Sequence, residues 1–106
     1  MIIEMRTYKV KRGTRPKILE VLRGKTFEEL KRIGVKCWGP YASVEDETTI
    51  FWMRGFPDAA AREKMSGKFY GGAAWKNELA DVFMPNLEEY DVVAVEMPED
   101  AVKWVS

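Results

Sequence analysis

Three side chains near the start of the chain, Glu4, Arg6 and Tyr8, combine an acid, a base and a phenol at steps of two residues. In an extended strand that spacing puts all three on one face, because successive side chains alternate. The row has a definite chemical capacity. The Arg6 guanidinium can grip a carboxylate through two parallel hydrogen bonds, Tyr8 can donate a proton, and Glu4 can act as a base where burial raises its pKa. Asp91 is a further carboxylate that could serve as base. The same row also admits a structural account, an ion pair between Glu4 and Arg6 within the sheet or across to a partner subunit, since a buried charge needs a partner.

Trp52 and Arg54 repeat the spacing in a later strand-like stretch. If that strand neighbours the first, Arg54 joins Arg6 in a positively polarised pocket, and stacked tryptophan and arginine suit a flat anionic ligand. The alternative is a core Trp52 and a strand-end surface charge at Arg54. In KFYGGAAWK, Gly71-Gly72 stands ahead of a helical pattern as a phosphate loop would, but neither the Walker nor the dinucleotide glycine spacing is present. The expectation is a helix break that sets Phe69, Tyr70 and Trp75 against the mouth of a cavity, as a flexible lip that gates it. Trp38 completes the aromatic residues expected to meet a ligand. Cys37 has no histidine to activate it and reads as a small buried side chain, and the six methionines read as core filling.

Composition narrows the chemistry further. The chain has no histidine, which removes the usual general base, the usual haem ligand, the Ser-His-Asp arrangement and most zinc and non-haem iron sites. No metal site and no cofactor are expected. Lysine plus arginine equal aspartate plus glutamate at 17 each, so no global field favours nucleic acid or an anionic membrane. No apolar run approaches the roughly 20 residues of a spanning helix. One cysteine cannot close an internal disulfide, which fits a reducing, cytoplasmic setting; the missing apolar run and an N-terminus that opens straight into a strand pattern lead to the expectation of a soluble, unprocessed protein. At 106 residues the chain should form one domain, over residues 1–97, followed by a short tail over 98–106.

The elements that must position these side chains follow from periodicity. Residues 1–10 alternate as a strand. Thr14 and Pro16 open a helix reaching about residue 33, with Ile18, Leu22, Leu30 and Ile33 as its buried stripe, a possible irregularity at Gly24 and a stop at Gly34. Residues 35–41 read as a strand that Gly39-Pro40 confines to an edge, and 48–56 as a central strand apolar on both faces. Asp58 offers an N-cap. Two helical pieces follow, interrupted at Gly67 and over 68–72, the second covering 73–83, and 87–97 is the last strand. The order βαββαβ predicts a ferredoxin-like α+β fold: a four-stranded antiparallel sheet with both helices on one face and the first and third strands central. The open face should then carry some of Tyr8, Trp38, Trp52 and Tyr90, more apolar surface than a soluble monomer exposes, so a two-fold homodimer packed sheet to sheet is expected.

MIIEMRTYKVKRGT resembles the opening I-x-E-x-R-x-Y-x-x-x-x-G of NIPSNAP-domain proteins, and FWMRGFPDAAAREKMSGKFYGGAAWK resembles the strand, arginine-containing turn and FYGGPVWK-like segment of their small bacterial members. The similarity runs from about residue 2 to 97. It departs at Ala73-Ala74, where many relatives have proline beside the glycines. The resemblance implies a dimeric α+β barrel and little about chemistry. By analogy of fold, related barrels include oxygenases that use no metal, isomerases and decarboxylases. The expected function is therefore a homodimer that binds a small aromatic or anionic organic molecule in a barrel cavity, as a cofactor-independent enzyme or, alternatively, as a non-catalytic carrier or interaction protein.

Overall fold

The computed structural model describes residues 1–106. Strands β1 (Ile2–Val10), β2 (Lys36–Ala42), β3 (Thr49–Phe56) and β4 (Leu87–Glu96) form one antiparallel sheet in the order β2-β3-β1-β4. β1 and β3 take the centre, where the apolar content of β3 on both faces is buried, and β2, whose Pro40 has no N–H to give a ladder, takes an edge. This is the ferredoxin-like α+β arrangement anticipated from the element order.

Helices α1 (Arg15–Val21) and α2 (Phe27–Ile33) run into one another through a wide turn, Leu22–Thr26, where Gly24 leaves helical geometry at φ −89° and ψ −107°. The chain then stops at Gly34 in the left-handed region, φ 107°. Asp58 caps α3 (Ala59–Tyr70) by accepting the Ala61 N–H at 2.8 Å. Unlike the expected interruption, α3 runs straight through Gly67, where nothing crowds the backbone, and breaks only at Gly71-Gly72. A wide turn, Trp75–Leu79, leads into α4 (Ala80–Asn86). Ile18, Leu22, Phe27 and Leu30 from the first helical layer and Phe69, Leu79 and Phe83 from the second pack on Val10, Cys37, Ile50, Trp52 and Phe56. Burying each large side chain contributes about 1.5–3 kcal/mol before entropy is counted.

Strand register fixes which face each side chain takes. Glu4 lies opposite Arg54, Arg6 opposite Trp52, and Tyr8 opposite both Ile50 and Tyr90. Tyr8 shares its face with Val10, and Trp52 with Ile50 and Phe56, all core residues beneath the helices. Tyr8 and Trp52 therefore stand on the helix-covered face, as does Tyr90 across from Tyr8, and not on the open face proposed for them from sequence. A period of exactly two makes this all or nothing. The open face instead carries Trp38, Tyr41 and Phe51, with the Trp38 ring 5.1 Å from Tyr41 and 5.9 Å from Phe51. At its far end the tail returns: Trp104 lies over Gly55, whose missing side chain leaves room for the indole, and the Val105 N–H donates to the Cys37 carbonyl at 2.8 Å. No helix is long and apolar enough to cross a membrane.

Candidate functional site

The register that sets Glu4 against Arg54 brings one carboxylate within reach of three guanidiniums. Glu4 Oε1 accepts from Arg6 Nη1 at 2.7 Å and from Arg54 Nε, while Oε2 accepts from Arg62 Nε at 2.8 Å, reaching down from α3. Glu4 and Arg54 are 3% exposed and Arg6 is 7% exposed. Burial alone would push the Glu4 carboxyl up, but Arg54, Arg62 and Arg6 together outweigh it and hold the group below the usual carboxylate range. Glu4 is thus an anchor that is charged at neutral pH. It is therefore not poised as the general base expected from sequence, because the arginines outweigh the burial that would raise its affinity for a proton. One negative charge among three positive ones leaves the knot with a net surplus of two.

Arg6 Nε in turn donates to the Tyr8 hydroxyl at 3.3 Å. Burial pushes the Tyr8 phenol up, and the Arg6 cation only partly offsets this, so Tyr8 keeps its proton at neutral pH and can donate a hydrogen bond or proton. Arg6 stays charged despite its burial, donating to the Glu4 carboxylate and to the Tyr8 hydroxyl oxygen.

Between sheet and helices lies a cavity of about 500 Å³, within the range of small-molecule sites. Arg6, Tyr8, Trp52 and Arg54 form its strand side; Leu22, Thr26, Phe69, Tyr70, Trp75 and Phe83 form its helix side; Glu88, Glu89 and Tyr90 stand along β4 at the edge. Trp75 ties the aromatic wall together, 5.0 Å from Tyr70, 5.8 Å from Phe69 and stacked at 5.9 Å on Phe83. Both cations lie near ring faces. Arg6 Cζ is 5.6 Å and Arg54 Cζ 5.8 Å from the Trp52 ring, and Arg54 is 5.5 Å from Tyr70. The Thr26 hydroxyl and the Trp52 indole N–H are buried without a partner in the chain.

The structure places Arg6, Tyr8, Trp52, Arg54, Phe69, Tyr70 and Trp75 around this one cavity. Arg54 is no surface charge, and Trp52 is at once core and cavity wall. Trp38 is not part of the site: it sits on the open face, paired in register with Met53, on the opposite side of the sheet from Trp52. Asp91 pairs with Thr7 and is likewise exposed on the open side, out of reach as a base. The Gly71 and Gly72 N–H groups are already bound, to the Gly67 carbonyl at 2.9 Å and the Phe69 carbonyl at 3.2 Å, so the glycine pair is no phosphate cradle. A Cβ on Gly72 would stand 2.9 Å from the Lys68 carbonyl, and the tight reversal this permits is what turns Phe69, Tyr70 and Trp75 to one side. Burial pushes the Cys37 thiol up to about 12, leaving it inert.

Sequence reasoning missed Thr26, Phe83, Tyr90 and Arg62. Thr26 carried a readable signal, falling midway between Leu22 and Leu30 at steps of four on the buried stripe. Tyr90 follows from the β1–β4 register. Arg62 had none, since its contact with Glu4 spans a helix and a strand 58 residues apart.

No protein-family model matches the chain, and no curated protein matches it. Solved structures do. An uncharacterised NIPSNAP domain protein from Burkholderia xenovorans superimposes with a TM-score of 0.79 at 17% identity, over 93% of this chain and 96% of that one. A NIPSNAP family protein with unknown function from Agrobacterium tumefaciens gives 0.77 at 21% identity, over 90% and 86%. A structure described as an antibiotic biosynthesis monooxygenase gives 0.68 at 12% identity, over 92% and 99%. The chain has the fold of NIPSNAP domain proteins, over nearly the whole length of both partners, in agreement with the motif resemblance.

Proposed function

We propose that the chain is a NIPSNAP family member that works as a cytoplasmic homodimer and binds a small aromatic anion, in the simplest case a carboxylate, in the cavity between sheet and helices. One observation carries the binding reading: Arg6 and Arg54 are fixed by a shared carboxylate, and Arg54 keeps both terminal nitrogens without an acceptor in the chain while lining an aromatic-walled cavity. Glu4 orients the two guanidiniums without cancelling them. A planar anion entering this space finds fork-shaped donors and ring faces together. Family membership draws on the shared fold and on the two motif segments. The dimer draws on the aromatic residues of the open sheet face, and the compartment on a lone thiol with no disulfide.

A catalytic reading attaches to Tyr8, a protonated phenol oriented by Arg6 at the cavity wall. The fold neighbour described as a monooxygenase keeps oxygen chemistry in view. The wall, however, offers a proton donor and cations rather than a base, with Glu4 clamped and the only cavity carboxylates, Glu88 and Glu89, exposed at the edge. Binding with electrophilic assistance by Tyr8 fits this better than base-initiated oxidation.

Two measurements test the reading. Native mass spectrometry of the isolated protein should reveal a bound organic acid, and that compound returned to fresh protein in air separates carrier from enzyme by whether it comes back unchanged. Calorimetry with benzoate should show binding that Arg6→Met or Arg54→Met weakens about tenfold or more, the loss of roughly 1.4 kcal/mol. Equal affinity in both variants, each shown folded by circular dichroism, would falsify the assignment.

A further inference from the structure

We infer that Arg62, which does not line the cavity, is a positioning residue for the anion site: by occupying the second oxygen of Glu4 it keeps the terminal nitrogens of Arg54 open to a ligand. The inference rests on the ligand reading above and adds to it a residue outside the cavity. What points to it is the way Arg54 meets Glu4. An arginine and a carboxylate frequently pair through two parallel hydrogen bonds. Here Arg54 gives only its Nε–H, to Oε1, and no terminal nitrogen of Arg54 bonds to Oε2. That oxygen accepts instead from Arg62 Nε at 2.8 Å, its only partner in the chain. Oε1 already serves both Arg6 and Arg54, so Oε2 decides how many Arg54 donors stay free.

Those donors are reachable. The buried polar side-chain atoms that lack a partner are confined to Thr26 and Trp52, so the unbonded terminal nitrogens of Arg54 keep accessible surface although the residue is 3% exposed and lines the cavity. Arg62 is placed by the capped start of α3, where Asp58 accepts the Ala61 N–H through its side chain and the Arg62 N–H through its carbonyl, at 3.0 Å. Its own side chain stays partly in water and adds little to stability for that reason. Its effect on Glu4 is specific all the same. Without Arg62, Oε2 becomes a buried acceptor with no partner, a state that costs free energy until a donor is found. With Oε1 held in place, the donor on the Arg54 side is the terminal nitrogen whose N–H runs parallel to Nε–H in the planar guanidinium. Glu4 then closes on Arg54 as a two-point pair, and one of the nitrogens that a bound carboxylate would use is lost.

The test measures benzoate binding by calorimetry on the wild type, Arg62→Met and Arg62→Lys, together with a crystal structure of ligand-free Arg62→Met. Arg62→Met should bind benzoate about tenfold more weakly, while its urea midpoint moves little. Arg62→Lys, whose Nζ can donate to Oε2, should return to within about threefold of the wild type. The loss in Arg62→Met should persist in about 1 M salt, where the Debye length is about 3 Å, because it comes from donor geometry and not from the field of a distant charge. The crystal structure should show Oε2 of Glu4 accepting from a terminal nitrogen of Arg54. A Glu4 carboxylate that keeps its orientation there overturns the inference, as does a loss of affinity that vanishes in salt or that lysine fails to relieve. If benzoate does not bind the wild type, the aromatic-anion reading falls, and the orientation of Glu4 in Arg62→Met alone decides the role of Arg62.

Discussion

Glu4 is the residue on which the site turns, and its energetics are asymmetric. Three guanidiniums converge on it, and two of them, Arg6 and Arg54, are almost fully buried. Removing one partner of a buried pair leaves uncompensated charge and costs about 3–5 kcal/mol, against a total stability of roughly 5–15 kcal/mol for a domain. Glu4→Gln should therefore lower the urea midpoint at pH 7 by a large fraction of its value. Arg62 is 38% exposed and contributes less, because water screens it. The pH dependence follows from the direction of the shift. Glu4 holds its proton less tightly in the folded state than at the ordinary value of 4.5, so its contribution is fully present above that value and is lost as pH falls through the folded pKa below it. Asp46, shifted downward by its bonds to Thr48 and Thr49, titrates in the same range in both proteins. The difference between wild type and Glu4→Gln should thus narrow below about pH 4.5; a difference constant from pH 7 to pH 3 would show that Glu4 is not held by these arginines.

At the scale of elements, what the sequence conveyed was periodicity, and what it withheld was everything set by packing between elements. The Gly24 irregularity, the stop at Gly34, the Asp58 cap and the edge position of β2 were all legible, because each depends on a residue acting on its own backbone. Alternation also grouped Glu4 with Arg6 and Tyr8, and Trp52 with Arg54. It could not say which face the helices cover, so Tyr8 and Trp52 were placed on the open side, while Arg62 was invisible to any local pattern. The reversal at Gly71-Gly72 lies between these cases. Its N–H groups bond back to the last turn of α3 and not to the sheet, and Tyr70 stands edge-on to both Phe69 and Trp75, each at 5.0 Å. If this segment is the lip of the cavity, amides 71–76 should exchange at least about tenfold faster than those of β1, and should slow when benzoate binds. Protection equal to the central strands, with or without ligand, would mean the cavity wall does not open there.

For the whole molecule the unresolved economy is the open sheet face. Tyr41 is 57% and Val93 50% exposed, Trp38 and Phe51 are half-covered, and the tail shields only the end near Gly55. Aromatic residues presented together on a flat sheet favour association, and a stable two-fold dimer needs about 800 Å² from each partner. Sedimentation at micromolar concentration should give a particle of twice 12.2 kDa. Phe51→Glu places a charge in the middle of that face, opposite Thr7 and beside Trp38, and should yield a monomer. The cavity, by contrast, is walled on both its strand side and its helix side by one chain, and Phe51 lies on the opposite side of the sheet from it. Assembly and binding should then come apart: the Phe51→Glu monomer should bind benzoate with an affinity within about twofold of the wild type. A wild type that sediments as a monomer removes the dimer, and a monomeric variant that loses benzoate would mean the partner chain completes the site.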